Sequence, residues 1–392
     1  MKYEFVEGIN PKMLRWAREN NGLSISDVSS RLRCKIKEIE EWESGKAAPN
    51  YIQLEKLAYK IYKRPLASFF LSILPAEESP KREFRTLPEF HMDSLLPDTY
   101  GQIRLAHFFQ ISLSEIFEKV NPAKNPIWKS LNLSTGESIV EQAQNIREFL
   151  GIDMQIQMKW PDEENALKGW RQAIEDVGIF VFKNSFKQKE ISGFCLRDEN
   201  FPLIYINNST TKTRQIFSLL HELSHILFRK NGISKFNINY IEELNEQEKI
   251  SERLCNSIAS EILVPKADFL YQISGLKKNA ENWQDEYYEK IAKRYKVSRE
   301  VILRKLLDEG YIEQAFYERK ANYWSGQIKS KSGTGGNYYL TQRIYLSNRF
   351  SREVLSKYYN NKISIEQAAE MFNVKVKSFG GLEQEILKGD AG

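Results

Sequence analysis

The sequence predicts an α+β protein that is mostly α, and three observations support this fold class. Apolar residues recur at helical spacing through most of the chain. Short runs rich in β-branched and aromatic residues lie within residues 179–206, where they predict a small antiparallel sheet. The chain has 392 residues, 41% of them hydrophobic and 28% charged, which suits two or three folded domains rather than a disordered chain.

The composition argues against a secreted or membrane-spanning protein. The longest apolar run, LASFFLSIL, is too short to cross a bilayer, and MKYEFVEG lacks the pattern of a secretory signal. Cys34, Cys195 and Cys255 form neither a CxxC pair nor an even set, which indicates a reducing, cytoplasmic setting. The net charge of +5 permits contact with nucleic acid without arguing for it.

Residues 1–75 predict a bundle of short helices. The second helix begins after Ser24, which has Asp27 as a capping-box partner, and it breaks near Arg33. A third helix follows over about Lys35–Glu43. Two helices joined by so sharp a turn form a helix–turn–helix.

The stretches ENNGLSISDVSSRL, WESGKAAPN and LEKLAYKIYKRPLASFF resemble the Xre/Cro-type helix–turn–helix family. The resemblance implies that the third helix enters the major groove of DNA. That helix, KIKEIEEWES, carries four glutamates, which phosphates repel, so dimerisation or docking of a protein partner is an equal alternative. The candidate phosphate contacts, each with a solvated surface role as its alternative, are Arg31, Arg33, Lys35, Lys37 and Lys46.

The remaining elements follow from local patterns alone. Residues 76–160 predict a linker and a helical scaffold, residues 161–328 a mixed domain, and residues 329–392 a hinge at 329–337 with a helical C-terminal region. Strands are predicted over 179–182, 191–198 and 202–206. Helices are predicted over 98–120, 138–150, 245–264, 281–294, 299–308, 313–324 and the tail, 338–386.

Three places share a small-x-x-apolar-x-apolar spacing between two helices. The segments begin at Ser29, Ala292 and Ala369. The spacing fits tight packing of one helix on the next. We interpret it as a common feature of small helical units rather than as an internal repeat.

The stretch HELSH carries the clearest chemical signal. The chain has four histidines, and His221 and His225 lie four residues apart with Glu222 between them. On a helix, both imidazoles face one side and can share a metal ion, while the glutamate can reach a water molecule on that metal. This HExxH pattern is typical of zinc peptidases, with a chance match or a decayed, structural site as the alternatives. The other two histidines, His91 and His107, have no liganding partner in sequence and are interpreted as structural residues.

A catalytic zinc site of this kind needs a third protein ligand. The helix predicted over 245–264 offers four glutamates, and spacing alone does not choose among them. They are Glu246, Glu248, Glu252 and Glu261.

The segment IYINNSTTKTRQIFSLLHELSHILF followed by SERLCNSIASEILVP resembles the ImmA/IrrE family of zinc metallopeptidases. The resemblance runs from about Trp170 to Ile312 and includes VSREVILRKLLDEGYI. It implies a zincin-like domain that binds one Zn²⁺ per chain through His221, His225 and Glu252, with Glu222 as the catalytic base. An Xre-type module joined to such a peptidase is an arrangement known in the family.

The resemblance also suggests residues around the metal. Asn256 matches a family asparagine and is a candidate for supporting a ligand. The strand at 202–206 is expected to be the sheet edge beside the metal, where it could hold an extended substrate. Tyr205 and Asn207 are then candidates for the substrate groove, with core packing and a turn cap as their alternatives.

The expected function is site-specific proteolysis of a helix–turn–helix repressor, which would derepress a phage, mobile-element or stress-response operon. One alternative is an Xre-type DNA-binding regulator whose zinc domain senses a ligand or partner without cutting it. Another is a component of a toxin–antitoxin pair. A protein substrate and no membrane partner are expected, and the sequence leaves DNA binding and a homodimer open.

Overall fold

The computed structural model describes residues 5–75, 95–235, 241, 244–274, 283–326 and 336–390. The fold is mostly helical with one small sheet and a helical C-terminal region, so the predicted fold class is confirmed. The chain divides into a smaller unit, Met1–Leu105 with Phe186–Gln188, and a larger unit, Ala106–Ser185 with Lys189–Gly392. The linker predicted at 76–90, His91 and most of the hinge predicted at 329–337 lie outside the described residues.

The N-terminal residues form short helices, and a sharp turn joins the second to the third; membership of the Xre/Cro-type family stays a prediction. The helices are α1 (Pro11–Glu19), α2 (Ile25–Leu32), α3 (Ile36–Glu43) and α4 (Tyr51–Glu55), and α4 continues as a π-helical segment over Lys56–Tyr62 before a 3₁₀ turn at Leu66–Phe70. Leu14, Val28, Ile39 and Leu54 are buried together between them. Burial of such side chains contributes roughly 1.5–3 kcal/mol each to folding.

The turn between α2 and α3 has the predicted geometry. The Asp27 backbone N–H donates to Ser24 Oγ at 3.1 Å, and the Ser24 N–H donates to the Asp27 carboxylate at 2.8 Å. Arg33 then adopts a left-handed φ of 59°, and the Cys34 N–H donates to the Ser29 carbonyl at 3.1 Å. This left-handed residue ends α2 and turns the chain into α3.

The other helices mostly follow the predicted ranges. The first group consists of α5 (Pro97–Ile116), α6 (Ile127–Ser130), α7 (Ile139–Leu150), α8 (Met154–Lys159), α9 (Glu163–Asp176) and α10 (Lys212–Leu227). The second group consists of α11 (Glu246–Leu263), α12 (Lys266–Ile273), α13 (Asp285–Tyr295), α14 (Arg299–Asp308), α15 (Gln314–Gly326), α16 (Tyr338–Tyr345), α17 (Asn348–Tyr359), α18 (Ile365–Met371) and α19 (Val376–Asp390). Among the described residues, no helix combines the length and the apolar character needed to cross a bilayer.

The sheet differs from the prediction in two respects. Its strands are β1 (Phe180–Asn184), β2 (Ile191–Leu196), β3 (Leu203–Asn207) and β4 (Gly232–Lys235), in the order β1-β3-β2-β4. The sheet is mixed rather than wholly antiparallel, because β1 pairs with β3 in parallel. The strand at 202–206 is therefore an interior strand, and the prediction that it forms the edge is wrong. The short connection between β2 and β3 makes them an antiparallel pair, and β1 reaches the free side of β3 by crossing over.

Helix α10 packs on one face of the sheet, and this contact positions the HELSH motif. Val181, Ile204 and Ile206 from the strands lie in one buried cluster with Leu219 and Leu223 of the helix. The opposite face of β1 carries aromatic side chains of the same unit. There the Phe182 ring stacks on Phe109 with a centroid distance of 4.2 Å.

Candidate metal centre

Helix α10 presents the two histidines of the motif on one side. The helix begins at Thr211, whose hydroxyl accepts a hydrogen bond from the Arg214 N–H at 3.3 Å. Its leucines face the core, so the histidines lie at the boundary between this core and the neighbouring helix α11. The His221 and His225 rings lie edge to face, and their Nε2 atoms are 3.0 Å apart.

Helix α11 supplies a carboxylate to this pair. Glu252 places one oxygen 3.4 Å from His221 Nε2 and the other 3.2 Å from His225 Nε2. Two of the three other glutamates that the sequence left open have partners of their own. Glu261 accepts from the Lys266 N–H at 2.7 Å and pairs with Lys305, and Glu246 pairs with Lys249 at 3.1 Å.

The three side chains fit a tetrahedral divalent cation. Zinc ligands at about 2.0–2.1 Å from the metal in a tetrahedron are about 3.3–3.4 Å from one another. The observed separations of 3.0, 3.2 and 3.4 Å are close to that spacing. All three residues are buried, and within the described ranges they are the one group of this kind that could hold a metal. A cation would bind three buried polar groups that the fold brings together here.

The charge state of Glu252 suits a metal ligand. Burial alone would raise the pKa of this carboxyl, but the facing imidazoles of His225 and His221 outweigh it and hold the pKa below its usual range. Glu252 is therefore an anion at neutral pH. Two imidazoles and one carboxylate form the ligand set of many catalytic zinc sites, which leave a further position for water.

Glu222 is fully buried beside this cluster. The Cys195 thiol of β2 lies within hydrogen-bonding reach of the Glu222 carboxylate. Burial raises the pKa of the Cys195 thiol, and the charge of Glu222 raises it further, so Cys195 is a neutral thiol that can donate to this carboxylate.

A comparison with protein families supports this centre. Residues 174–307 match the IrrE N-terminal-like domain of the peptidase M78 family. The match covers about a third of the chain and includes α10, α11 and β4. It supports a metallopeptidase-family function for this segment, hereafter the IrrE-like domain, and hence a bound metal. No curated protein gave a significant match.

A second cysteine of the IrrE-like domain touches the centre. The Cys255 side chain of α11 hydrogen-bonds the His225 ring. Burial raises the pKa of Cys255, although His225 opposes this shift. In the sequence, the cysteines indicate only the redox setting. A position at the site could have been suspected from sequence for Cys255, because it lies three residues after Glu252 on the same helix.

The edge strand β4 passes directly over His225. A Cβ atom at Gly232 would lie 2.7 Å from the His225 ring, so glycine is required for the strand to approach this closely. Among the described strands, β4 pairs only with β2, so it is an edge strand of the described sheet, and it lies beside a metal ligand. This strand, rather than β3, is the edge next to the centre.

The remaining candidates near the centre occupy different places. Tyr205 is fully buried and stacks on Phe194 with a centroid distance of 5.1 Å. Asn207 is also buried, and its Nδ2 donates to the Ile191 carbonyl at 2.7 Å while its Oδ1 accepts from the Ser209 N–H at 3.0 Å. Tyr205 therefore has the core-packing environment and Asn207 the turn-cap bonds that were the alternatives to a place in the substrate groove. Asn256 is half-buried one turn after Glu252, and its supporting role stays a prediction.

The candidate phosphate contacts of the N-terminal unit are all exposed. They are Arg31, Arg33, Lys35, Lys37 and Lys46. Lys37 lies 3.8 Å from Glu41, whereas Glu43 is buried and bonded to Arg18 at 2.7 Å. Glu43 is thus a structural residue, while Glu40 remains exposed on the same helix. DNA binding by this unit stays a prediction. The remaining described histidine, His107, is half-buried in α5, in keeping with a structural residue.

Proposed function

We propose that the protein is a zinc-dependent, site-specific endopeptidase. The observation that carries the proposal is the convergence of His221, His225 and Glu252 at metal-ligand spacing beside a buried glutamate. The family match of residues 174–307 supports a peptidase independently of this geometry. One Zn²⁺ per chain is proposed, because two imidazoles and one carboxylate are a common zinc ligand set.

The proposed chemistry divides the work among four residues. A zinc ion held at this site would supply Lewis acidity, which would lower the pKa of water and polarise a peptide carbonyl. Glu222 accepts the proton of the attacking water as its oxygen bonds to the carbonyl carbon. When the C–N bond breaks, Glu222 donates that proton to the leaving amine. His221 and His225 would hold the metal through their ring nitrogens, and Glu252 would add a negatively charged ligand.

The open edge of β4 supports an extended peptide as substrate. A chain that pairs with this edge would run close to His225, because Gly232 brings the strand against that ring. Main-chain hydrogen bonds would then hold the substrate, and side-chain pockets would select the cleavage site. Strand β4 thus takes the substrate-binding role expected for the strand at 202–206.

We propose a helix–turn–helix repressor as the protein that is cut. The support is the resemblance of the chain to the ImmA/IrrE arrangement, together with the helix–turn–helix geometry of α2 and α3. Such a module could bring the peptidase to DNA or to a similar partner. Cleavage of the repressor would allow transcription of the operon that it represses.

Replacement of Glu222 by Gln tests this function. The variant keeps the shape of the side chain but cannot accept a proton, so it should bind one zinc and cut a co-expressed repressor from the neighbouring gene about 10²–10⁴ times more slowly. Glu246→Gln, which changes an exposed glutamate at the start of α11, should cut as fast as the wild type. Undiminished cleavage by Glu222→Gln would refute the mechanism.

The alternative of a DNA-binding regulator or toxin–antitoxin component rests on one observation, the helix–turn–helix geometry of α2 and α3. It predicts tight, salt-sensitive binding to the neighbouring operator in a gel shift, with no proteolysis of any neighbouring protein. The presence of Glu222 beside the ligands favours the peptidase, since binding alone would not require a base there.

A further inference from the structure

The C-terminal helices α17, α18 and α19 repeat the pattern of α1, α2 and α3. When the two segments are aligned at the last residues of α17 (Tyr359) and α1 (Glu19), α18 begins opposite the start of α2 and α19 begins opposite the start of α3. The same alignment pairs identical residues in the two segments. The pairs are Asn20–Asn21 with Asn360–Asn361, Ser24–Ile25 with Ser364–Ile365, Lys35 with Lys375, Lys37 with Lys377 and Glu43 with Glu383.

The turn between α18 and α19 has the same geometry as the turn between α2 and α3. Asn373 adopts a left-handed φ of 54°, and the Val374 N–H donates to the Ala369 carbonyl at 3.0 Å. The Gln367 N–H donates to Ser364 Oγ at 3.3 Å, in a capping box like that of Ser24. The turn after α13 shares the left-handed residue, so the turn alone is common, but the aligned identities extend from α17 to α19. We therefore interpret α1–α3 and α17–α19 as two copies of one repeat, although the sequence pattern alone did not indicate an internal repeat.

The repeated module has a core of its own. The Phe379 ring of α19 lies 6.0 Å from Phe372 and 5.0 Å from Tyr358, between centroids, and Leu382 is fully buried. A second side of α19 is covered by α16. A Cβ atom at Gly381 would lie 2.5 Å from the Tyr339 ring, so glycine permits this contact.

The third side of α19 is exposed and positively charged. It carries Lys375, Val376, Lys377, Gly380 and Gln384. Within the described part of the chain, neither lysine has an ion pair, whereas Lys37 of α3 lies near Glu41. The exposed carboxylates of this module, Glu366 and Glu370, lie on α18 instead.

Glycines replace the acidic residues of the N-terminal copy. Gly380 and Gly381 occupy the positions of Glu40 and Glu41. A Cβ atom at Gly380 would meet nothing within 4 Å, so packing does not require this glycine. Glycine within an exposed helix destabilises that helix, but its lack of a side chain lets the backbone of another molecule approach closely.

We infer that residues 347–390 form a second helix–turn–helix module, and that α19 binds double-stranded DNA. Lys375 and Lys377 contact phosphates at the start of the helix, and Gly380 allows the helix to lie close against the groove. Charge complementarity selects DNA as the partner. The α3 surface presents two lysines among three glutamates, whereas the same positions of α19 present two lysines and no carboxylate.

The binding of a duplex by the full-length chain tests this inference. The probe is a fluorescent random-sequence duplex of about 30 base pairs, titrated at salt concentrations from about 50 to about 200 mM. Lys375→Glu with Lys377→Glu should weaken binding roughly tenfold or more and reduce the slope of log affinity against log salt by about 2. Gly380→Glu should also weaken binding, because it restores the acidic residue of α3.

Two paired variants provide the comparisons. Lys35→Glu with Lys37→Glu changes the equivalent lysines of the N-terminal copy and should weaken binding less than threefold. Lys124→Glu with Lys168→Glu changes exposed lysines elsewhere and controls for net charge. Circular dichroism confirms that each variant is folded. The inference would be overturned if only the substitutions of Lys35 and Lys37 reduced binding, if all variants bound equally, or if the wild type did not bind. A change in sedimentation mass without a change in DNA affinity would also overturn it, in favour of self-association.

Discussion

At the residue scale, the metal centre shows what a pattern supplies and what packing adds. HELSH identifies two histidines and a base because their spacing on a helix is fixed. The third ligand is different, since four glutamates of α11 are chemically equal in sequence. The structure distinguishes Glu252 by its partners, because its carboxylate faces the two imidazoles, whereas Glu261 and Glu246 pair with other groups. A tertiary contact of this kind has no local signature.

Glu252→Gln should lower the zinc affinity at least about 100-fold, because loss of a ligand should exceed the 10–100-fold effect of outer partners. Titration against a chromogenic chelator gives the affinity. The control is Glu246→Gln, an exposed residue of the same helix, which should bind zinc like the wild type. Equal affinity in both variants would remove Glu252 from the ligand set.

A buried lysine provides a second prediction at this scale. Lys183 of β1 is only 4% exposed, and burial followed by the charges of Arg171 and Lys212 lowers its pKa to about 6 from the ordinary 10.5. The unfolded chain therefore binds more protons between these pH values, and the free energy of unfolding should rise as pH increases from about 6 to about 10.

Replacement of Lys183 by Met should raise the free energy of unfolding by about 1 kcal/mol or more at pH 6, because a buried charge near other cations is costly. It should also flatten the rise with pH. Chemical denaturation at pH 6 and pH 9 measures both effects. Lys189→Met alters an exposed lysine and should change neither. A steep pH dependence retained in Lys183→Met would contradict the assignment.

At the element scale, local composition predicts where strands form but not how they pair. The runs at 179–182, 191–198 and 202–206 are strands, yet their order is set by a crossover that places β1 beside β3. Strand β4 was missed because GISK contains one β-branched residue and follows directly on the ligand helix. Its importance becomes visible only through the contact between Gly232 and His225.

Gly232→Val should lower zinc affinity about tenfold or more, because the added side chain displaces either β4 or the His225 ring. A chelator titration measures this effect. Gly136 lies in open surface, where an added Cβ atom would be 4.0 Å from its nearest neighbour, so Gly136→Val should bind zinc normally. Wild-type affinity in Gly232→Val would show that the strand is not held against the ligand.

At the scale of the whole molecule, helices were predicted well because their patterns are local. The helix predicted over 299–308 has those bounds, and the turn at Arg33 has the expected geometry. The repeat of the N-terminal module near the C-terminus was not accepted from sequence, because few positions are identical and the shared turn spacing is common. Matching element boundaries and hydrogen bonds made it evident.

The central claim is that Glu222 and the zinc site cut a protein substrate. Mass-spectrometric mapping of new protein N-termini, in cells that express the wild type or Glu222→Gln at equal level, tests it most directly. The account predicts a small set of new N-termini with the wild type, which is absent with the variant although both proteins carry one zinc. The same new N-termini with both proteins, or none with a zinc-loaded wild type, would contradict it.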